Sequence, residues 1–312
     1  MATGPTFPPR ARGAASGAVR GSARTGGVRV SFEFFPPKTD QGAARLEEAI
    51  DALTPLAPQF MTVTYGAGGS TQELTRRWVE RVREISGAPV GHHLTCVGKS
   101  RAEIDALAQE LWDADIRHIV ALRGDPPQGA DRYTPHPDGY PFAAELVAGL
   151  RRVADFEISV GAYPEVHPEA SSAAADLDNL KRKLDAGAAR AITQYFFDVE
   201  TFLRFRDRIA AAGIRHEIVP GVIPVTNMES LIRFSRACGA TVPRWLTELF
   251  AGTENDSETR SMLAASVAID QCTRLRAEGA ESFHFYTLNR AQVTRAVCHA
   301  LGVRGAAHKA AA

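Results

Sequence analysis

The stretch His118-Ile-Val-Ala-Leu-Arg-Gly-Asp-Pro-Pro127 is a short apolar run that ends in charged residues, a glycine and two prolines. A second stretch, Ser31-Phe-Glu-Phe-Phe-Pro-Pro37, repeats the pattern with one acidic residue inside the run. Short runs rich in β-branched and aromatic residues that stop at turn residues predict buried strands. Because an unpaired charge is costly to bury, an ionisable group at the end of such a strand more often has a function than none.

Eight apolar runs alternate with helical patterns from Val28 onward. The predicted strands are 28–35, 60–65, 90–96, 118–123, 157–162, 191–197, 217–222 and 282–286. The intervening segments have helical periodicity, as in Leu46, Ile50 and Leu53. This alternation predicts parallel strands, and eight units over about 275 residues fit a (β/α)8 TIM barrel of typical size, about 250 residues. The longer segment 243–278 predicts an extra helix before the last strand.

A doubly wound open sheet is the main rival architecture. Such a sheet usually has fewer strands, and a dinucleotide-binding one would have a glycine-rich turn after the first strand, where this sequence has none. We therefore expect one α/β domain, a catalytic barrel over 28–303, between a disordered tail at 1–27 and a flexible tail at 304–312. Residues 1–27 contain four arginines and no acid, as in a transit peptide, but their prolines and glycines would interrupt an amphipathic helix.

The bulk composition excludes several classes of protein. Lysine plus arginine and aspartate plus glutamate each number 36, so no net charge favours nucleic acid or a membrane surface. No apolar run approaches the roughly 20 residues that span a bilayer. The four cysteines are scattered, without the spacing of a metal site or a disulfide framework, and no other cluster has metal-ligand spacing. These features predict a cytoplasmic protein that acts on small molecules and binds no metal.

Polar side chains are expected at the carboxyl ends of the strands, where (β/α)8 barrels place their active sites. The candidates are Glu33, Thr64, His93, Thr95, Asp125, Tyr163, His167, Gln194, Thr287, Asn289 and Arg290. Strand ends are exposed and polar in any case, which explains the threonines and asparagines. The general polarity of strand ends explains Glu33 and Asp125 poorly, because both residues have apolar or proline neighbours.

Glu33 alternates with Phe32 and Phe34, so it should point to the opposite face of its strand. In a barrel mouth of low dielectric, burial is expected to raise the pKa of this carboxyl group toward general-acid use. The alternative is a salt bridge to an arginine on a neighbouring strand. Asp125 has the same ambiguity, because Arg123 lies two residues away and could pair with it.

Two other segments have the composition of ligand sites. Tyr65-Gly-Ala-Gly-Gly-Ser70 could let a ligand approach the backbone, although a plain tight turn explains it equally well. Asp176, Asn179 and Lys183 fall on one face of the helix after the fifth strand. That stripe could hold a ribose and a pyrophosphate, or could be a solvated helix face.

Eight motifs, in order from about residue 30 to 302, resemble those of bacterial methylenetetrahydrofolate reductases. They are Phe32-Glu-Phe-Phe-Pro-Pro37, Val63-Thr-Tyr-Gly-Ala67, His92-His-Leu-Thr95, Leu122-Arg-Gly-Asp-Pro-Pro127, Ala162-Tyr-Pro-Glu-Val-His-Pro168, Thr193-Gln-Tyr-Phe-Phe-Asp198, Pro220-Gly-Val-Ile-Pro224 and Phe283-His-Phe-Tyr-Thr-Leu-Asn-Arg290. The resemblance implies a flavoprotein barrel that reduces 5,10-methylenetetrahydrofolate to 5-methyltetrahydrofolate. In that family NADH reduces FAD and leaves, and the folate then takes the hydride.

The resemblance also implies roles for particular residues. Glu33 matches a general acid that assists protonation at folate N10, which opens the ring to a 5-iminium cation. Asp125 matches an aspartate near the pterin, whose charge can tune flavin and cation. Gln194 matches a pterin-binding glutamine, Phe234 an aromatic that stacks on the substrate, and Arg290 an arginine of the folate site.

By the same resemblance, one set of residues would contact FAD. It comprises Thr64, Tyr65, Ala67, His93, Arg123, Gly124, Asp125, Ala143, Tyr163, His167, Asp176, Asn179, Arg182 and Lys183. Ser230 departs from the pattern, because some members have a folate-contacting glutamine there. The family also implies a homo-oligomer and NADH rather than NADPH.

Two rival functions remain to be compared with this one. A flavin-free relative acting as a subunit of a methyl-transfer complex would be expected to lack Glu33 or the set His167, Asp176 and Lys183, all of which are present. A proline-dehydrogenase-like flavin barrel should not share Glu33 and Gln194 in these contexts. The motifs separate these functions, whereas the fold alone would not.

Overall fold

The computed structural model describes residues 27–65, 72–126, 129 and 132–305. Within these residues the chain forms nine parallel strands and ten α-helices. The strands are β1 (Arg29–Phe34), β2 (Met61–Val63), β3 (Val90–Thr95), β4 (His118–Leu122), β5 (Glu157–Ala162), β6 (Arg190–Thr193), β7 (Glu217–Val219), β8 (Gly221–Val222) and β9 (Ser282–Tyr286). The helices are α1 (Asp40–Leu53), α2 (Gln72–Ser86), α3 (Arg101–Asp113), α4 (Ala143–Val153), α5 (Ala173–Asp185), α6 (Val199–Ala211), α7 (Met228–Cys238), α8 (Arg244–Phe250), α9 (Ser257–Ala277) and α10 (Gln292–Ala300).

The strands follow the order β7-β6-β5-β4-β3-β2-β1-β9-β8, which closes the sheet into a barrel at Pro220. The predicted seventh strand is divided there, so that β7 pairs with β6 and β8 pairs with β9. Proline has no N–H to donate to a strand ladder, so Pro220 interrupts the pairing at this position. Its carbonyl group accepts a hydrogen bond from the His284 N–H on β9. Gly221 N–H still bonds to the Thr193 hydroxyl on β6. The expected TIM barrel is confirmed, with one of its eight strands in two pieces.

Helix boundaries coincide with capping residues. Ser100 and Glu103 form a reciprocal capping box at the start of α3. Asp198 caps α6, and the Asn227 side chain accepts from the third residue of α7. Gly239 ends α7 with a φ of 72°, a left-handed conformation that favours glycine. The extra helix expected within 243–278 is α8, which precedes the long helix α9.

The two faces of each strand have different surroundings. Phe32 and Phe34 are buried in the main apolar core between strands and helices, together with the predicted helix face of Leu46, Ile50 and Leu53. Inside the barrel, a separate apolar cluster contains Phe60, Ile192 and Val219. Buried polar side chains, among them Thr62, His93, Ser159 and His284, fill much of the remaining space that the strands enclose.

Strand ends differ from the predicted bounds by a few residues. The largest difference is in β6, which ends at Thr193 although its apolar run continues to Phe197. Tyr195, Phe196 and Phe197 are buried in the connection to α6, so their apolar character reflects loop packing. Among the described residues, no helix is long and apolar enough to cross a bilayer. The predicted tails, apart from Gly27, Arg304 and Gly305, and residues 66–70 of the glycine-rich turn lie outside the described residues.

Candidate active site

Glu33 lies inside the barrel near the carboxyl end of β1, between two imidazoles from other strands. Its Oε2 atom is 3.3 Å from Nε2 of His93 on β3 and 3.4 Å from Nε2 of His284 on β9. Both histidines are buried, and Nδ1 of His284 is 2.8 Å from the Ser31 hydroxyl. When Ser31 donates to Nδ1, the remaining imidazole proton lies on Nε2 and faces Glu33.

The expected direction of the Glu33 pKa shift is wrong. Burial does raise the pKa of this carboxyl group, but charge on His93, with the hydrogen bond and charge of His284, outweighs burial. The pKa of Glu33 therefore lies below its ordinary value. Its partners are histidines rather than the arginine considered from the sequence, because β3 and β9 bring these imidazoles to the same level of the barrel.

The loop after β9 fixes the backbone that carries Glu33. The Thr287 hydroxyl donates to the Glu33 carbonyl, at 2.7 Å. The Asn289 amide donates to the Phe35 carbonyl and accepts from the Phe35 N–H. Asn289 has a φ of 54°, a conformation that asparagine tolerates better than most residues. Thr287 and Asn289 thus satisfy the hydrogen bonds of the backbone beside Glu33. Their role is structural, as expected for threonines and asparagines at strand ends.

A cavity of about 470 Å³ opens beside β4, β5 and α5. Most of the residues expected to contact FAD line it. They are Tyr65, Arg123, Gly124, Asp125, Ala143, Tyr163, His167, Asp176, Asn179, Arg182 and Lys183. The α5 stripe therefore faces a cavity and is not a solvated helix face.

Lys183 supplies a buried positive charge to this cavity. The residue is 8% exposed, and its ammonium group donates to the Gly161 carbonyl at 2.6 Å. Burial lowers the pKa of Lys183 to about 8, although Asp176 acts in the opposite direction. A bound anion would stabilise the charged form, because an opposite charge offsets desolvation. Helix α4 also begins at the cavity without a side-chain cap, and uncapped helix N-termini bind anions.

Asp176 and His167 connect α5 to the loop after β5. The Asp176 carboxylate accepts from the His167 backbone N–H at 3.0 Å, and the His167 ring contacts the Tyr163 ring edge-on at 4.6 Å. Burial is the largest cause that lowers the pKa of His167. This arrangement holds one wall of the cavity in a fixed orientation.

Arg123 pairs with Glu169 rather than with Asp125. Its guanidinium also lies 4.8 Å from the Tyr133 ring centroid, and Tyr133 in turn lies beside Phe142. Sequence reasoning did not identify Glu169, Tyr133 and Phe142 as cavity residues. Glu169 directly follows the quoted Ala162–Pro168 motif, and the Arg123 charge requires a partner, so the sequence contained a signal for this pair. The two aromatics had none, because their loop has no regular spacing.

The strand-end candidate Thr95 also lines the cavity, whereas several other predicted residues lie outside its lining. Thr64 extends the β1–β2 ladder through a backbone bond to Phe34, and His93 belongs to the Glu33 cluster. Ala67 lies outside the described residues. Gln194 follows β6, and its Oε1 accepts from the Tyr195 N–H.

The other two residues expected at the folate site are exposed. Phe234 lies on α7 with 61% of its surface exposed, and Arg290 is exposed after β9. Helix α7 follows β8, and Arg290 follows β9. Both residues therefore lie at the carboxyl face of the barrel, as Glu33 does. An exposed aromatic at a barrel mouth is available to cover a ligand.

A sequence model of the methylenetetrahydrofolate reductase family matches residues 18–302. The 5,10-methylenetetrahydrofolate reductase of Pectobacterium carotovorum is 52% identical over 279 residues, which cover 89% of this chain and 92% of that protein. The enzyme of the same name from Escherichia coli is 49% identical over the same shares. A solved structure from Clostridium thermocellum, described as binding two copies of 5-methyl-5,6,7,8-tetrahydrofolic acid, superimposes with a TM-score of 0.59 over 89% of this chain and 95% of that chain. At 13% identity, that likeness shows the fold.

Proposed function

The chain belongs to the methylenetetrahydrofolate reductase family, and we propose that it reduces 5,10-methylenetetrahydrofolate to 5-methyltetrahydrofolate with NADH and a bound FAD. The family membership supports the reductase activity. The family resemblance implies the cofactor, the electron donor and the residue roles, and the geometry of the site described above supports the cofactor and several of the roles. The observation that carries the proposal is the partly buried Glu33 carboxylate, which two imidazoles contact at the end of a barrel strand.

The cavity residues suit a flavin dinucleotide. The Lys183 ammonium and the uncapped start of α4 would hold the diphosphate, and Asp176 and Asn179 would bond to hydroxyl groups. When bound, the flavin supplies hydride transfer in two successive half-reactions, first from NADH and then to the folate. The protein contributes position and electrostatics.

Glu33 acts at folate N10 in this proposal. Its carboxylate lies in close contact with the imidazoles of His93 and His284. Burial raises the pKa of Glu33, but the charge of His93 and the hydrogen bond and charge of His284 lower it overall, so the carboxylate has to take up a proton before it can act as the acid. That proton passes to Oε2 and then to N10 as the bond from the bridging carbon to N10 breaks. The electron pair goes to N10, and the carbon becomes the 5-iminium cation.

The remaining residues bind and orient the substrate. The negative charge of Asp125, at the cavity, stabilises the cation as it forms. Gln194 offers its amide to the pterin, Phe234 stacks on the substrate, and Arg290 is available for a folate carboxylate. A homo-oligomeric state and the preference for NADH over NADPH follow from the family resemblance, and a cytoplasmic location follows from the scattered cysteines and the composition; all three stay predictions.

An anaerobic visible spectrum tests the proposal. The purified protein should show a flavin band that NADH bleaches and that methylenetetrahydrofolate restores. A colourless protein that FAD does not reconstitute would favour the flavin-free relative instead. A flavin band that proline bleaches, and NADH does not, would favour the amino-acid dehydrogenase.

Lys183→Ala sharpens this test, because it removes the buried cation of the cavity. The loss of a charge-assisted hydrogen bond should weaken FAD binding by about 10- to 150-fold. Lys181→Ala is the matched control, since Lys181 is exposed on the same helix and pairs with Asp185. Equal FAD affinity in the two variants would contradict the assignment of Lys183 to the diphosphate.

A further inference from the structure

Helix α7 carries Phe234, the aromatic residue of the proposed folate site, and few of its residues are buried against the rest of the protein. All residues of this helix are described, and Leu231 and Ser235 are the two that are buried. Phe234 is 61% exposed, so its own packing does little to fix its position. The placement of this ring therefore depends on whatever holds the adjacent backbone, and Ser235 is the next residue.

Ser235 is held by a tyrosine from the connection between β6 and α6. Its Oγ atom is 3.0 Å from the Tyr195 hydroxyl, and both side chains are buried. Buried hydroxyl groups are costly when unpaired, so the Ser235 hydroxyl needs this partner, while the Tyr195 hydroxyl also accepts from the Cys238 thiol of α7 at 3.4 Å. The Tyr195 ring is itself fixed, because it contacts the rings of Tyr286 and Phe197.

The sequence neighbours of this pair are the two residues proposed to hold the pterin. Tyr195 directly follows Gln194 and donates its backbone N–H to the Gln194 Oε1, at 3.0 Å. Ser235 directly follows Phe234. The bond between Tyr195, in the connection after β6, and Ser235 of α7 thus connects the backbone of the proposed pterin-binding amide to that of the proposed stacking ring.

The C-terminal end of α7 has separate anchors. A side chain at Gly239 would collide with Pro168, so this glycine allows close packing on the loop after β5. The Thr241 N–H donates to the Glu165 carboxylate at 2.7 Å. Because these contacts hold the end of the helix, loss of the Tyr195–Ser235 bond should shift the turn that bears Phe234 without unfolding α7.

We propose that the Tyr195–Ser235 hydrogen bond positions Phe234 against Gln194 and so determines the affinity for the pterin of methylenetetrahydrofolate, an inference that rests on the proposed function. Tyr195 and Ser235 are positioning residues. Neither side chain needs to touch the substrate, because each acts through the residue before it. Their loss should therefore raise KM for the folate and leave kcat unchanged.

A double-mutant cycle tests this inference. Tyr195→Phe and Ser235→Ala should each raise KM for methylenetetrahydrofolate about three- to tenfold, and the double variant should be no worse than the more affected single one. Ser235→Thr keeps the hydroxyl and should restore KM toward the wild-type value. Tyr140→Phe is the matched control, since the Tyr140 hydroxyl bonds to Asp105 at 2.7 Å, outside the proposed site.

Each outcome of this experiment decides the inference. Unchanged KM values, or effects of the two substitutions that multiply in the double variant, would overturn it. A loss of thermal stability and of kcat with unchanged KM would show a merely structural bond. If Tyr195→Phe does not fold, the contrast between Ser235→Ala and Ser235→Thr decides. Failure of the wild-type protein to reduce methylenetetrahydrofolate would contradict the proposed function itself.

Discussion

The interior of the barrel and the layer between its strands and helices are built from the same strands but differ in chemistry. The outer layer is mostly apolar, as Phe32 and Phe34 illustrate. The interior holds the Glu33 cluster at its carboxyl end, and Arg190 with Glu157 and Glu217 at its amino end. Phe60 contacts both ends, because its ring lies 6.2 Å from that of His284 and 5.3 Å from the Arg190 guanidinium.

Because the two layers differ in polarity, residues that stabilise the fold and residues available for catalysis alternate along a single strand. Side chains of a strand alternate between faces, so neighbours in sequence belong to different layers. Phe32 and Glu33 are one such pair on β1, and His92 and His93 are another on β3. The apolar outer layer contributes folding energy, whereas the polar interior holds groups that can move protons. Substitution of either neighbour tests this division.

The largest expected effect is that of Glu33→Gln on folate turnover. Glutamine cannot pass a proton, so the rate of methylenetetrahydrofolate reduction should fall about 10²- to 10⁴-fold. FAD retention and flavin bleaching by NADH should remain, because Glu33 does not line the cavity. Stopped-flow measurement of each half-reaction checks this, with exposed Glu47→Gln as the control. Normal folate turnover in Glu33→Gln would remove Glu33 from the mechanism.

Phe32→Ala should have the opposite profile. The Phe32 ring is fully buried and lies 6.2 Å from the Phe285 ring. Its removal leaves a cavity and should cost about 3–5 kcal/mol of unfolding free energy. Urea denaturation measures this cost, and Phe35→Ala is the control because Phe35 is 44% exposed. A stable Phe32→Ala variant with impaired turnover would contradict the division between the two layers.

The smallest expected effect is the pH dependence of stability that comes from His92, the neighbour of His93 on β3. Burial lowers the pKa of His92 to about 3, and both of its ring nitrogens lack a hydrogen-bond partner among the described residues. An unfolded chain has an ordinary histidine pKa of about 6.5 and so binds a proton that the folded chain excludes. This group therefore lowers stability as the pH falls from about 6.5 toward 3.

His92→Leu should remove that sensitivity. Between pH 6.5 and 4, the wild-type unfolding free energy should fall more steeply than that of the variant, by up to about 1.4 kcal/mol per pH unit. Urea titrations at several pH values measure the two slopes, and exposed His216→Gln is the control. Parallel slopes for wild type and His92→Leu would show that His92 finds a partner when it becomes charged.

Particular residues show how far sequence reasoning reached. The strand at 157–162 and the strand at 282–286 have the predicted bounds, because turn residues limit their apolar runs on both sides. The α5 stripe was identified by its spacing, although spacing alone favoured a solvated face. Tyr133 and Phe142 were missed, because their proximity to Arg123 depends on how a long connection folds.

The sequence by itself determined the alternation of strands and helices, the opposite directions of Phe32 and Glu33, and the family motifs. These features depend on neighbouring residues and on local periodicity. Only the tertiary structure decided the partners of Glu33, since Glu33 and His284 are 251 positions apart in the chain. It decided the closure at Pro220 and the contact between Tyr195 and Ser235 for the same reason. A pKa, like a hydrogen bond between distant elements, depends on distances that only the closed barrel defines.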